Sequence, residues 1–216
     1  MPDGAEARDK TRAERGLKRG RKFDQVLEGA RQVFMADGFE GASVDDIARA
    51  AGVSKATLYS YFADKRLLFM EVARMECARQ ANMAADTINM TAPPRHVLTE
   101  AARKMIEFGT SDFGQQMFRI AVAESERFPA LGQAFYESGP RTVRARLVGF
   151  LRQAAARGEL VIEDFELAAD QFHMLSKADI FDRIVFNLNR SFTPTEKDRV
   201  ITGAVETFMA RYGVGR

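Results

Sequence analysis

Tryptophan is absent from this 216-residue chain, cysteine occurs once, histidine twice and proline six times. One cysteine, Cys77, excludes an internal disulfide and suits a reducing compartment. On a helix it reads as a small apolar residue more readily than as a redox sensor. His96 and His173, without a cysteine or acid cluster at ligand spacing, leave no metal site to build. No Gly-x-Ser-x-Gly, phosphate loop or dinucleotide fingerprint occurs, and the carboxylates fall at helix caps and solvated faces. Neither an enzyme nor a cofactor is expected. No run approaches the roughly eighteen uncharged apolar residues of a membrane span. The start, MPDGAEARDK, lacks the apolar segment of a secretory signal, so a soluble cytoplasmic protein is expected.

What is present is an ordinary core-forming share of apolar residues, 46%, and a net charge of only +2. The placement of charge says more than its sum. Between Arg8 and Lys22 stand eight basic residues against two acids, Asp9 and Glu14. Residues 1–20 are therefore read as a basic flexible arm, able to lie along phosphates or in a minor groove, or else a solvated tail.

Beyond the arm, apolar residues recur at helical spacing throughout, with no convincing strand pattern. Phe23, Val26, Leu27, Ala30, Val33 and Phe34 make a first helix, with Gly38 as its left-handed cap. Ser43 opens Ser-Val-Asp-Asp, resembling a capping box, before a very short second helix. Gly52 ends that helix, Ser54 can cap a third and Asp64 a fourth. Pro93-Pro94 marks a boundary, Asp112 can cap another helix, and Pro129 suits a first turn, with a bend allowed at Gly139-Pro140. One helix is expected from Asp164 to about Leu188, and a last one from Pro194. Thirteen of the seventeen phenylalanines follow Lys65. The chain accordingly divides into a small helical unit, 21–65, and a larger helical body, 66–216.

The stretch GVSKATLYSYFADK, Gly52 to Lys65, has an unusual outer face. With Leu58 turned inward, Phe62 lies about 40° away, while Ala56 and Ser60 fall nearly opposite, flanked by Thr57 and Tyr59. Two short helices joined through a glycine turn form a helix-turn-helix pattern. A major groove about 12 Å wide admits one helix, and small groups at Ala56 and Ser60 let the backbone sink into it. Lys55 can donate to guanine or phosphate, Thr57 can meet a thymine methyl, and Tyr59 can reach base or backbone. Tyr61 is placed for the sugar-phosphate wall. Lys65 and Ser43, each at a helix start, are placed for phosphates.

The runs GFEGASVDDIARAAGVS and ATLYSYFADKRLL resemble the DNA-binding domain of TetR/AcrR-type bacterial transcriptional regulators over residues 23–72. That resemblance implies an all-α protein with an N-terminal helix-turn-helix domain and a C-terminal helical domain for effector binding and dimerisation. It implies contacts to double-stranded operator DNA from Ser43, Lys55, Ala56, Thr57, Tyr59, Ser60, Tyr61 and Lys65. AESERFPALGQAFYESGP and GEL…DFELAADQFHML are similar to the C-terminal domain of one AcrR-like branch.

In the body, helices that are apolar on more than one side call for partners on more than one side. Met174, Phe181, Val185 and Leu188, with Ile201, Val205 and Phe208 of the last helix, are candidates for a two-fold homodimer interface. Met105, Phe108, Met117, Phe118, Phe135, Phe172 and His173 could line a pocket for a small hydrophobic effector, or could be plain core. The expectation is a ligand-released homodimeric repressor on a palindromic operator. The alternative is a DNA-binding dimer without an effector, architectural or partner-controlled.

Overall fold

A computed structural model describes residues 20–189 and 191–215; the basic arm expected at 1–20 lies outside the described residues apart from Gly20. Helices and their connections make up the described chain, and the one β-type contact in them is an isolated antiparallel bridge between Leu160 and Gly213. The described residues fall into two compact units that divide between Val72 and Ala73.

The first unit holds α1 (Arg21–Gly41), α2 (Val44–Ala50), α3 (Lys55–Tyr61) and the start of α4 (Lys65–Thr87). Regular helical geometry in α1 breaks at Gly38, where φ is 69°. The seven-residue α2 and α3 are too short to persist on propensity alone, so their ends are defined by side chains and turns. Asp46 N–H donates to the Ser43 hydroxyl at 3.1 Å, and Thr57 N–H donates to the Ser54 hydroxyl at 3.1 Å. Between them, Gly52 takes φ 63°. Its N–H donates to Arg49 O and that of Val53 to Ala48 O, the paired bonds of a Schellman turn. Asp64 caps α4 by accepting from Arg66 N–H at 2.7 Å.

Phe23, Val26, Leu27, Phe34, Ile47, Leu58, Phe62 and Phe69 are buried in this unit. Phe23 and Phe62 stack with centroids 5.6 Å apart. One close approach sets the angle of the pair: a Cβ on Gly29 of α1 would lie 2.5 Å from Ala51 N and 2.7 Å from Ala51 Cβ. Only glycine lets the end of α2 pack there.

The second unit contains the rest of α4, then α5 (Pro94–Thr110), α6 (Asp112–Glu124), α7 (Pro129–Ser138), α8 (Pro140–Ala156), α9 (Phe165–Leu175), α10 (Ile180–Val185) and α11 (Pro194–Tyr212). Its core packs α5 against α11 and α8 against α9. Leu98, Leu151, Phe172 and Phe208 sit at its centre. Proline stands in the first turn of α5, α7, α8 and α11, and Thr193 with Glu196 closes a full capping box at α11.

Three sequence expectations are corrected here. Ser111, not Asp112, caps α6, because its hydroxyl accepts from Gly114 N–H at 3.1 Å. The helix expected to bend at Gly139-Pro140 is instead two, α7 and α8, since Gly139 leaves helical geometry at φ −104°, ψ −89°. The helix expected from Asp164 to Leu188 is also two. Asp164 does cap α9, accepting from Glu166 and Leu167 N–H, but Asp179 adopts φ 66° and separates α9 from α10.

Candidate nucleic-acid interface

The third helix is buried on one side and open on the other. Leu58 is 1% exposed, and Phe62 just beyond the helix is also buried, whereas Lys55, Ala56, Tyr59 and Ser60 are exposed and Thr57 is half-buried. No large side chain stands over Ala56 or Ser60 in the helix itself, so its backbone is the nearest surface along that stripe. Ser60 Oγ donates to Thr57 O at 2.6 Å, and the hydroxyls of Ser54 and Thr57 lie 2.9 Å apart. These short local bonds keep the small polar groups close to the helix.

The two tyrosines divide. Tyr59 is 49% exposed, with its ring in solvent. Tyr61 packs edge-on against Phe23 at 5.6 Å, which fixes the ring near the end of α3.

Electrostatics around α2 and α3 are arranged in pairs. Lys55 makes an ion pair with Asp45, both more than half exposed. Such surface pairs contribute roughly 0–1 kcal/mol, so Lys55 can exchange Asp45 for another anion at little loss. Asp46 accepts from the Ser43 hydroxyl and from Arg49. The Ser43 hydroxyl first, and Arg49 after it, hold the Asp46 carboxyl below its usual range. The two acids next to Ser43 are thus each turned to a local partner.

Lys65 turns its ammonium to two backbone carbonyls. Its Nζ donates to Phe39 O at 2.8 Å and Ala42 O at 3.1 Å, and lies 4.4 Å from the centroid of the Phe39 ring. Sequence reasoning also missed Gly29, since a glycine in a helix interior carries no pattern that announces a crossing helix.

In the body, the candidates for effector and dimer contacts scatter. Phe172 is fully buried and meets Phe208 edge-on at 5.3 Å. Met105 packs on the same core, and Met117 is buried, its sulfur accepting from the Cys77 thiol at 3.4 Å. Burial raises the Cys77 thiol to about 12, leaving it a protonated, inert group at neutral pH. Phe108, Phe118 and Phe135 are half-buried. Burial, and after it Lys177, lowers His173 to about 4, while Asp170 opposes the shift.

Among the dimer candidates, Ile201, Val205 and Phe208 are 1–2% exposed within their own chain's core. Phe181 packs edge-on against Phe118 at 5.0 Å. Met174, Val185 and Leu188 are outward, at 62%, 40% and 69% exposure. Met174 borders a groove of about 470 Å³ between α9 and α11, along with Gln171, Ala178, Thr207 and Arg211. Among the described residues, no helix is long and apolar enough to cross a membrane.

Comparison with known proteins agrees with this geometry. Residues 26–72 match the family model for bacterial regulatory proteins of the tetR family. Residues 96–214 match that for the C-terminal domain of AefR-like transcriptional repressors. The repressor AcnR of Corynebacterium glutamicum is 35% identical over 83 residues, 38% of this chain and 39% of AcnR. This chain thus spans about two-fifths of the length of that repressor. The transcriptional activator FasR of Mycolicibacterium smegmatis is 25% identical over 95% of this chain and 92% of its own. The solved flavonoid-responsive regulator FrrA is 33% identical, with a TM-score of 0.65 over 91% of this chain and 100% of its own. With a capped helix-turn-helix head, a separate helical body and family models matching both, the chain belongs to the TetR family of bacterial transcriptional regulators and is a regulator, not an enzyme.

Proposed function

We propose that this regulator is a repressor that binds a palindromic operator as a homodimer and is released by a small, largely apolar ligand. One observation carries the DNA reading: α3 is buried through Leu58 and open along Ala56, Tyr59 and Ser60, with Lys55 in its first turn. A helix smooth on its outer face and backed by a packed domain fits a major groove. In this reading Lys55, Ala56, Thr57, Tyr59 and Ser60 meet bases and nearby backbone. Ser43 and Tyr61 meet phosphates.

Met174 and the neighbouring α9–α11 groove support a second copy as partner, because a two-fold pairing there would cover both. The outward Val185 and Leu188 could extend that surface. For the effector, the half-buried Phe108, Phe118 and Phe135 with Met105 offer a deformable apolar lining. Fully buried Phe172 and closed Met117 would act as walls more than contacts, and His173, uncharged at neutral pH, would present an unionised ring. FrrA responds to flavonoids, as its name states, and an aromatic or apolar effector for this chain agrees with such a lining. The closed packing of Phe172 and Met117 also favours a second reading, a DNA-binding dimer governed by a partner instead of a ligand. The repressor assignment follows AcnR and the AefR-like body, whereas FasR is an activator.

Selection of bound fragments from random DNA tests the core of the proposal. It should enrich inverted half-sites whose centres lie about one helical turn, or somewhat more, apart. Enrichment of a single unrepeated half-site would overturn the dimer, and no enrichment would overturn the DNA reading. Release of the selected DNA by an apolar compound panel separates the sensor from the partner-controlled factor.

A further inference from the structure

We infer that the effector joins a single negative charge to its apolar body, as a carboxylic acid does. Lys177 with His173 receives the charge, and Phe118 with Phe181 flanks the adjoining apolar part. The inference rests on the proposed reading of the body as an effector domain, and names the chemical class of that effector.

Lys177 stands just beyond α9, one turn after His173, and both are half-buried. Burial holds the lysine below its ordinary value of 10.5, with no carboxylate offsetting it. Among the described residues its ammonium makes no hydrogen bond and no ion pair; it lies 5.2 Å from the centroid of the Phe181 ring. The acids around it are engaged elsewhere or turned outward. Asp170, whose charge opposes the shift of His173, is held by Arg144 at 2.8 Å. Asp179 is held by Arg183 and Arg199, and Asp182 is exposed. The ammonium is nevertheless not sealed in. Every fully buried polar side-chain atom among the described residues has a partner, so an unpartnered Nζ keeps some access to solvent and to a ligand.

A lysine that only lent its stem to the core would extend its ammonium into water. Here part of the hydration is already gone, and the surrounding apolar groups strengthen attraction to an anion. A carboxylate would supply the acceptor that the ammonium lacks, in a charge-assisted bond. His173, uncharged at neutral pH, adds one N–H donor a turn away. Phe181 meets Phe118 edge-on at 5.0 Å, so an aromatic surface begins beside the charge. The cations available set the charge of the ligand. Arg119, next to Phe118 in the chain, donates to Ile184 O at 3.0 Å and to Asn187 Oδ1 at 3.2 Å. Arg144 is bound to Asp170. One lysine is then left to answer the ligand, which suits a monoanion; a polyphosphate would call for several such donors.

The test compares two fluorescent probes that share one apolar body, 8-anilinonaphthalene-1-sulfonate and the neutral N-phenyl-1-naphthylamine. Each is titrated into full-length protein at about 150 mM salt. The sulfonate should bind about tenfold more tightly than the neutral probe. Lys177→Met should bring the two affinities within about twofold of each other, by weakening the sulfonate alone. Lys177→Arg, which keeps the charge, should retain the preference. Decanoate should displace the bound sulfonate at about one-tenth of the concentration that decanamide needs. Equal affinities in the parent, a preference that survives Lys177→Met, or equal potency of acid and amide would overturn the inference. In those cases the neutral probe still binds and the effector reading stands; if neither probe binds, both fail. Circular dichroism checks folding, and should Lys177→Met not fold, Lys177→Gln is held to the same criterion.

Discussion

The two units reach helical order by different means. In the head, α2 and α3 have seven residues each and are held by named local devices: the Ser43 and Ser54 caps, the Gly52 turn, and the Gly29–Ala51 contact. In the body, longer helices are held by a shared core around Leu98, Leu151, Phe172 and Phe208. The head can therefore keep one face of α3 bare, since its shape does not depend on burying both sides. The centre of the body has no such freedom, and Phe150, Phe172 and Phe208 there are enclosed by their neighbours. A surface meant for another molecule stands out in the head as missing bulk. In the body it must be distinguished from core residue by residue.

The contrast can be broken at its strongest point first. Phe172→Ala should destabilise the body by about 3–5 kcal/mol. Hydrogen exchange should show protection lost in α9 and α11 and kept in α1–α3; a uniform loss would deny that the units are held separately. Gly29→Ala should cost about 1–3 kcal/mol by forcing α2 away from α1. Operator affinity should fall with it, measured beside a thermal melt, and an unchanged melt would show that the crossing tolerates a methyl.

His173 provides a pH handle on the body. Its folded value, about 4, lies below its ordinary value of 6.5. Between these values the unfolded chain binds more protons than the folded one, so stability rises with pH through this window and is lost on acidification. The slope from this group is at most about 1.4 kcal/mol per pH unit. Urea unfolding at several pH values should show it, and His173→Gln should remove it. In the head, Ser54→Ala should cost about 1 kcal/mol as the loss of one cap. A change well below that in a urea titration would mean that the local devices matter less than the head's own core.

Much of the head was legible because its signals are local. Ser43, Ser54, Gly52 and Gly38 carry cap and turn chemistry within four residues of where they act. Lys65 was not legible: it acts on carbonyls more than twenty residues away, and a lysine in a first turn looks the same whether it faces solvent or the α1 corner. Gly29 hid for a similar reason. In the body, adjacent Ser111 and Asp112 are equally able to cap, and only backbone geometry chose between them. The apolar period ran on through Asp179, where a left-handed residue breaks the helix. Ile201, Val205 and Phe208 form a stripe that periodicity finds, but a stripe does not say whether its partner is the same chain or another copy.

The outward face of α3 remains the central claim. Fluorescence anisotropy with selected operator DNA and the variants Lys55→Ala and Tyr59→Ala tests it most directly. Each variant should weaken binding by about 1–3 kcal/mol, as the loss of a specific base or backbone contact does, with thermal stability close to the parent because both side chains are exposed. Parental affinity in both variants would contradict the account.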